Sequence, residues 1–257
     1  MINNYNTFIF DLDGTIYLDD KLIDNAKEVI NKIKQLQKNV IFISNKTTGS
    51  TTYYYNFLKS NGLNIFYEDI ISATITTKNY LKKKHPEKNF FAIGEKPFID
   101  ELRESGLKFV TDPNIIDIII ITLDRTLNYS KLEIAAKALD KGARFYAANI
   151  DNTCPVEKGE ILDAGSTISA LEKRTNRKLE KNFGKPSKYI MKEILRRVNV
   201  NPKSCLIIGD RLETDIAMGN KFGMDTALVM TGVKKNLNLS HRFKPTYNIS
   251  SIADLIK

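Results

Sequence analysis

Short apolar runs alternate along this chain with stretches in which apolar residues recur every three or four positions. Residues 7–11, 39–44, 205–210 and 225–230 are apolar runs of strand length between polar residues, and read as strands buried on both faces. Helical spacing predicts helices near 25–37, 51–60, 187–198 and 213–222. Such alternation predicts an α/β fold with a Rossmann-like parallel sheet. The middle of the chain carries a second set: strands at 89–93, 117–123 and 143–148, and helices at 97–105, 130–140 and 164–174. Charged, polar stretches at 82–88 and 178–183 flank it and read as linkers. The expected organisation is a core domain of residues 1–80 and 182–257 with an inserted α/β domain at 81–181.

Three of the four outer strands end in residues able to do chemistry: Asp11, Ser44 and Asp210. Open parallel sheets bind ligands beyond the carboxyl ends of their strands, so these ends are expected to converge on one site. Asp11 and Asp13 lie two residues apart where the first strand ends. In extended chain i and i+2 share a face, so both point into one pocket while Leu12 points back into the core. Two carboxylates this close repel, and such a pair needs a cation or a shared proton. Gly14 lets the chain turn sharply after them.

Three more elements join the aspartate pair. Ser44-Asn45 ends the second strand, where a hydroxyl and backbone N–H groups can donate to a phosphoryl oxygen; the alternative is a helix cap. Lys185 stands in Gly184-Lys185-Pro186-Ser187, with Pro186 expected to set the first helical turn and leave the lysine at the helix entrance, where anions are favoured. Asp210 and Asp215 flank the start of the next helix and can both face a hard cation such as Mg²⁺. The alternative for Asp215 is support of the first helical turn.

Bulk properties narrow the picture. The chain has 257 residues, 42% hydrophobic and 27% charged, ordinary for a water-soluble domain or two. Its polar start lacks the pattern of a signal peptide, and its most apolar run, 115–123, is interrupted by Asp117 and too short to span a bilayer. A cytoplasmic protein without membrane association is expected. Cys154 and Cys205 read as two reduced thiols, and no His/Cys group has zinc spacing. The net charge of +9 comes with lysine clusters poor in aromatics, so nucleic acid is not expected as a partner. The charge reads as a solvated face with weak steering of a phosphorylated substrate.

Asp11-Leu12-Asp13-Gly14-Thr15, Ser44, Lys185 and Gly209-Asp210 with Asp215 resemble, in order, the four motifs of the haloacid dehalogenase (HAD) superfamily of phosphatases. The inserted segment is similar to the large α/β cap of the NagD-type, 4-nitrophenylphosphatase-like branch, at Leu123-Asp124-Arg125, at 129–132, at 142–145 and at Asn149-Ile150-Asp151. The resemblance implies a Mg²⁺-dependent hydrolase of small phosphate monoesters working through an aspartyl-phosphate. Asp11 would be the nucleophile and Asp13 the general acid and base; Ser44 and Lys185 would hold phosphoryl oxygens. Mg²⁺ would lie between Asp11, the backbone carbonyl of Asp13 and Asp210, with Asp215 orienting its water. Asn45 would bind substrate beside Ser44, and Asn149 and Asp151 either reach the substrate or shape a turn. Asp124 and Arg125 read as a structural pair, and His85 and His241 as surface residues. After Ser44 the chain reads Asn45-Lys46-Thr47-Thr48-Gly49, where relatives often carry a second Asn and a Ser, which leaves the substrate open. A cap of this size favours small phosphorylated metabolites such as a sugar phosphate or nucleotide, and relatives of the branch often form homodimers. The competing readings are a phosphotransferase using the same aspartyl-phosphate and a non-catalytic phosphometabolite-binding protein.

Overall fold

The computed structural model describes residues 1–156, 159–198, 201–232 and 242–256. In chain order its elements are β1 (Thr7–Asp11), a small hairpin of β2 (Tyr17–Leu18) and β3 (Lys21–Leu22), α1 (Ala26–Gln35), β4 (Asn39–Ser44), α2 (Thr51–Ser60), β5 (Ile70–Ser72) and α3 (Ala73–Lys84). Then come β6 (Asn89–Ile93), α4 (Lys96–Glu104), β7 (Lys108–Phe109), β8 (Ile118–Ile121), α5 (Tyr129–Asp140) and β9 (Arg144–Ala147). A hairpin of β10 (Thr153–Val156) and β11 (Gly159–Leu162) precedes α6 (Ala164–Thr175) and β12 (Lys181–Asn182). The chain ends with α7 (Lys188–Arg197), β13 (Cys205–Gly209), α8 (Ala217–Phe222), β14 (Asp225–Val229) and β15 (Tyr247–Ile249).

These elements form two compact units: Met1–Ser44, Thr52–Ile71 and Lys185–Lys257 in one, Asn45–Thr51 and Ser72–Gly184 in the other. The first holds a six-stranded sheet, among the described residues, in the order β15-β14-β13-β1-β4-β5. β1 is central and parallel to both neighbours; Phe10 is level with Ile208 on one side and Phe42 on the other. Phe8, Ile9 and Phe10 are fully buried. The alternation of the strand sends Phe8 and Phe10 to one face and Ile9 to the other. Phe8 and Phe10 join Val29, Ile30 and Ile33 of α1 in one cluster; Ile9 joins Ile190, Met191 and Ile194 of α7 in another. Apolar residues on both faces of β1 are what a covered parallel sheet requires.

The second unit has its own sheet, β12-β9-β8-β6-β7, with every recorded pair parallel. Ile119 and Ile121 of β8 pack with Ala135, Ala136 and Leu139 of α5 and with Ile168 and Leu171 of α6. The protein is therefore an α/β fold with a parallel core sheet and a separate parallel sheet inserted in sequence, as the strand–helix alternation predicts.

The structure differs from the sequence reading in places. Lys82–Lys84 are not linker but the last turn of α3, a helix that sequence patterning did not reveal. Its buried residues are Ala73, Thr74, Ile75, Thr76, Thr77 and Leu81, half of them threonine and too polar to show an apolar stripe. Within 178–183, Lys181–Asn182 is a short edge strand pairing with β9. Pro186 is not in the first helical turn: Ser187 caps α7, accepting from the amides of Tyr189 and Ile190. Asp124 and Arg125 do not pair with each other: Asp124 binds Lys131, while Arg125 makes a two-pronged contact with Glu95. His85 is partly buried against Tyr80 and Tyr146 rather than standing free on the surface. His241 lies outside the described residues.

Candidate active site

All six core positions singled out in the sequence belong to the first unit. Asp11 closes β1 and is level with Ile43 of β4, so Ser44 stands at the same edge of the sheet, one residue on. Asp210 follows the last residue of β13 on the other side of β1. The three strand ends thus meet where the parallel register dictates.

After β13 the chain enters a single π-helical turn, Leu212–Ile216, before α8. This wide turn, a form often found at functional sites, carries Asp215 inward, where it is wholly buried. Its Oδ2 accepts from the amide of Arg211 at 3.2 Å. A side chain at Gly209 would collide with the Asp215 carboxylate, its Cβ falling 2.2 Å from Cγ. Gly14, at φ +76°, is equally constrained: a Cβ there would lie 2.6 Å from Oδ2 of Asp210.

One oxygen from each of Asp11, Asp210 and Asp215 lies within 4.8 Å of the others. Lys185 reaches this cluster from the start of the last chain segment. Its Nζ donates to Asp11 Oδ1 at 2.5 Å and to Asp215 Oδ1 at 2.7 Å, and all four residues are buried. Burial pushes the Asp11 carboxyl up; Lys185 pulls it back, but Asp215 and Asp210 add to the rise, and it stands well above the usual carboxylate range. Burial disfavours the charge of Lys185, but Asp11 and Asp215 outweigh it and hold the ammonium above the usual lysine range. With all three carboxylates ionised, the one ammonium would leave two negative charges in a buried space. A divalent cation neutralises that excess, and the all-oxygen donor set suits a hard ion.

The Asp13 carboxylate is not one of these three. It is partly exposed and accepts a hydrogen bond from the phenol of Tyr17 at 3.2 Å. The two motif aspartates therefore occupy different environments, one buried beside an ammonium and one nearer solvent beside a phenol.

The remaining expected positions, Asn45, Asn149 and Asp151, lie in the second unit and bind one another. Asn45 Nδ2 donates to Asp151 Oδ2 at 2.8 Å. Asn149 Nδ2 donates to Asp151 Oδ2 and to Asp163 Oδ1, both at 3.0 Å. Its Oδ1 accepts from Thr122, whose hydroxyl also meets that of Thr47 at 2.6 Å. Asn149 is 1% exposed and both its amide hydrogens are used within the unit. Its surroundings are those of a buried polar network.

Sequence reasoning missed Tyr17, Thr231 and Gly232. Thr231 Oγ1 donates to the carbonyl of Gly14 at 2.6 Å, and a Cβ on Gly232 would lie 1.9 Å from Asp210 Oδ2. Nothing in the local pattern around 231–232 signals this. For Tyr17 the signal was the sharp turn at Gly14, which returns the chain over Asp13.

Comparison with known proteins decides the family. Residues 8–108 match the haloacid dehalogenase-like hydrolase family and residues 182–255 match the HAD-hydrolase-like family. The sugar-phosphatase AraL of Bacillus subtilis is 34% identical over 249 residues, covering 97% of this chain and 91% of AraL. The chain belongs to the haloacid dehalogenase-like hydrolase family. Among solved structures, the p-nitrophenyl phosphatase from Archaeoglobus fulgidus superposes with a TM-score of 0.90 at 32% identity, covering 98% of both chains. A glycerol phosphate phosphatase from Mycobacterium tuberculosis, solved in complex with magnesium, gives a TM-score of 0.84 at 26% identity over 99% of this chain and 77% of that one. These full-length matches place the HAD protein in the NagD and p-nitrophenyl phosphatase branch, with the large α/β cap inserted. It is an HAD-type phosphatase of small phosphate esters. Among the described residues no helix is long and apolar enough to cross a membrane.

Proposed function

We propose that this protein hydrolyses small phosphorylated metabolites, sugar phosphates or nucleotides in the first instance, with Mg²⁺ and through an aspartyl-phosphate on Asp11. The observation that carries this reading is the convergence of Asp11, Asp210 and Asp215 with Lys185 at the carboxyl edge of the core sheet. The names of the relatives, a sugar-phosphatase and a glycerol phosphate phosphatase among them, support the substrate class.

Asp11 attacks phosphorus in line with the ester oxygen. A carboxylate Oδ–P bond forms as the P–O ester bond breaks. Asp13 gives its proton to the departing oxygen, then takes one from the water that cleaves the phosphoenzyme. Lys185 and Ser44 hold phosphoryl oxygens as negative charge shifts towards the leaving group. Lys185 is suited to this because it remains charged while buried. Asp11, Asp210 and Asp215, with the carbonyl of Asp13, would hold the magnesium ion. When bound, that ion neutralises the carboxylate excess and keeps Asp11 ionised against its burial. Asn149 and Asp151 serve the second unit as a fixed polar network. The core and the cap of this reading are the two compact units, Met1–Ser44 with Thr52–Ile71 and Lys185–Lys257, and Asn45–Thr51 with Ser72–Gly184.

The test is release of nitrophenol from 4-nitrophenyl phosphate, followed by a panel of sugar phosphates and nucleotides, with and without Mg²⁺. Metal-dependent turnover by the wild type that vanishes in Asp11→Asn supports the reading. A metal-loaded wild type that turns over none of the panel would remove it.

A further inference from the structure

The turn between the two motif aspartates and the first hairpin is closed by its own backbone. The amides of Ile16 and Tyr17 both donate to the carbonyl of Leu12, at 2.9 and 3.2 Å, and the amide of Gly14 donates to the carbonyl of Tyr17 at 2.7 Å. Gly14 makes this possible with its positive φ. The result brings a residue four positions on back beside Asp13. Tyr17 is 3% exposed, and its ring meets the Phe57 ring edge-on, with centroids 5.1 Å apart at 73°. A large aromatic fixed by both backbone and packing places its hydroxyl 3.2 Å from Asp13 Oδ2.

We propose that Tyr17 is a positioning residue for Asp13, orienting its carboxyl for proton delivery to the leaving oxygen. This rests on the reading of Asp13 as the general acid. Torsion about the last bond of an aspartate is broad, so a partly exposed Asp13 samples many carboxyl orientations unless a partner holds it. A phenol donating to Oδ2 favours one orientation, in which Oδ1 carries the transferable proton. As the P–O ester bond breaks, that proton moves to the departing oxygen and the carboxylate left behind keeps the phenol as donor. Tyr17 touches neither substrate nor metal in this scheme and acts only through Asp13.

Proton delivery matters most for a poor leaving group. An alkoxide needs the proton as it leaves; 4-nitrophenolate departs as a stable anion. Tyr17→Phe removes one hydroxyl and keeps the ring that packs on Phe57. Its kcat/KM, which reports the steps through ester cleavage, is expected to fall about tenfold for an alkyl ester such as glycerol phosphate, a part of the roughly 10²–10⁴-fold that a positioned acid contributes. For 4-nitrophenyl phosphate it is expected to stay within about twofold, because that ester needs little acid assistance. Phe57→Leu, which loosens the ring but keeps the hydroxyl, should show a smaller loss with the same preference for the alkyl ester. Equal losses for both esters, or none for either, in a Tyr17→Phe protein of unchanged melting temperature would overturn the proposal. Asp13→Asn separates this outcome from failure of the underlying reading. If that variant keeps the wild-type ratio of alkyl to aryl rates, Asp13 is not the acid, and the role of Tyr17 falls with it.

Discussion

Lys185 and Asp11 lie 174 positions apart in sequence and 2.5 Å apart in the fold, both buried, and the same ammonium also binds Asp215. The contact joins the first strand of the core sheet to the segment that returns after the inserted unit. It places a fixed positive charge against the residue proposed as nucleophile. Removing one partner of a buried pair leaves an uncompensated charge, which is why this contact dominates the expectations for the site.

Lys185→Met should destabilise the metal-free protein by about 3–5 kcal/mol at neutral pH. The sign with pH follows from Asp11, which burial already pushes up and which loses its lowering partner in the variant. A carboxyl raised in the folded state lends stability that is lost as pH rises through its folded pKa. The defect should therefore shrink at mildly acidic pH. Urea unfolding at two pH values would measure it; equal stability of the variant and wild type at neutral pH would contradict the account.

Magnesium should stabilise the fold as well as support turnover. At a hundredfold excess over its Kd, a ligand bound only to the folded state adds about 2.7 kcal/mol. Thermal melting with Mg²⁺ and after chelation should show an upward shift in the wild type that Asp210→Asn abolishes. A shift of the same size in that variant would place the ion elsewhere.

Asn149 bridges Asp151 and Asp163 inside the second unit. Asn149→Ala strips two buried carboxylates of a shared donor and should cost about 1–3 kcal/mol. Unfolding monitored within that unit should show the loss. A variant of normal stability with only a raised KM would instead assign Asn149 to the substrate.

Glu95 is buried and receives two bonds from the Arg125 guanidinium, at 2.6 and 2.8 Å, and one from its amide at 3.1 Å. Burial alone would raise its carboxyl, but these hydrogen bonds from Arg125 reverse that and hold it below the usual glutamate range. A lowered carboxyl lends stability present above its unfolded pKa and lost as pH falls through the folded one. Glu95→Gln should therefore melt lower than the wild type at pH 7, with the gap closing below about pH 4. A gap independent of pH would mean that the charge on Glu95 contributes nothing.

Much of this protein was legible as one-dimensional pattern. The apolar runs through Phe8-Ile9-Phe10 and Leu206-Ile207-Ile208 specify buried parallel strands, because only such strands are apolar on both faces. The order of Asp11, Asp13, Ser44, Lys185, Asp210 and Asp215, with Asp11, Ser44 and Asp210 at strand ends, specified the kind of site. Helix α3 was not legible, since half of its buried residues are Thr74, Thr76 and Thr77, whose polarity hides the face. The compact units divide ahead of that helix, whereas the change in composition lies at its end.

The sequence by itself determined which residue types stand at the carboxyl edge of the core sheet, since the register of parallel strands is set by their own apolar patterns. Tertiary structure alone decided how they are used. It set Lys185 between Asp11 and Asp215. It pressed Gly232 against Asp210 and turned Asn149 into the centre of a buried network. These are mostly contacts between residues remote in sequence, fixed by where whole elements pack, and no local periodicity encodes them.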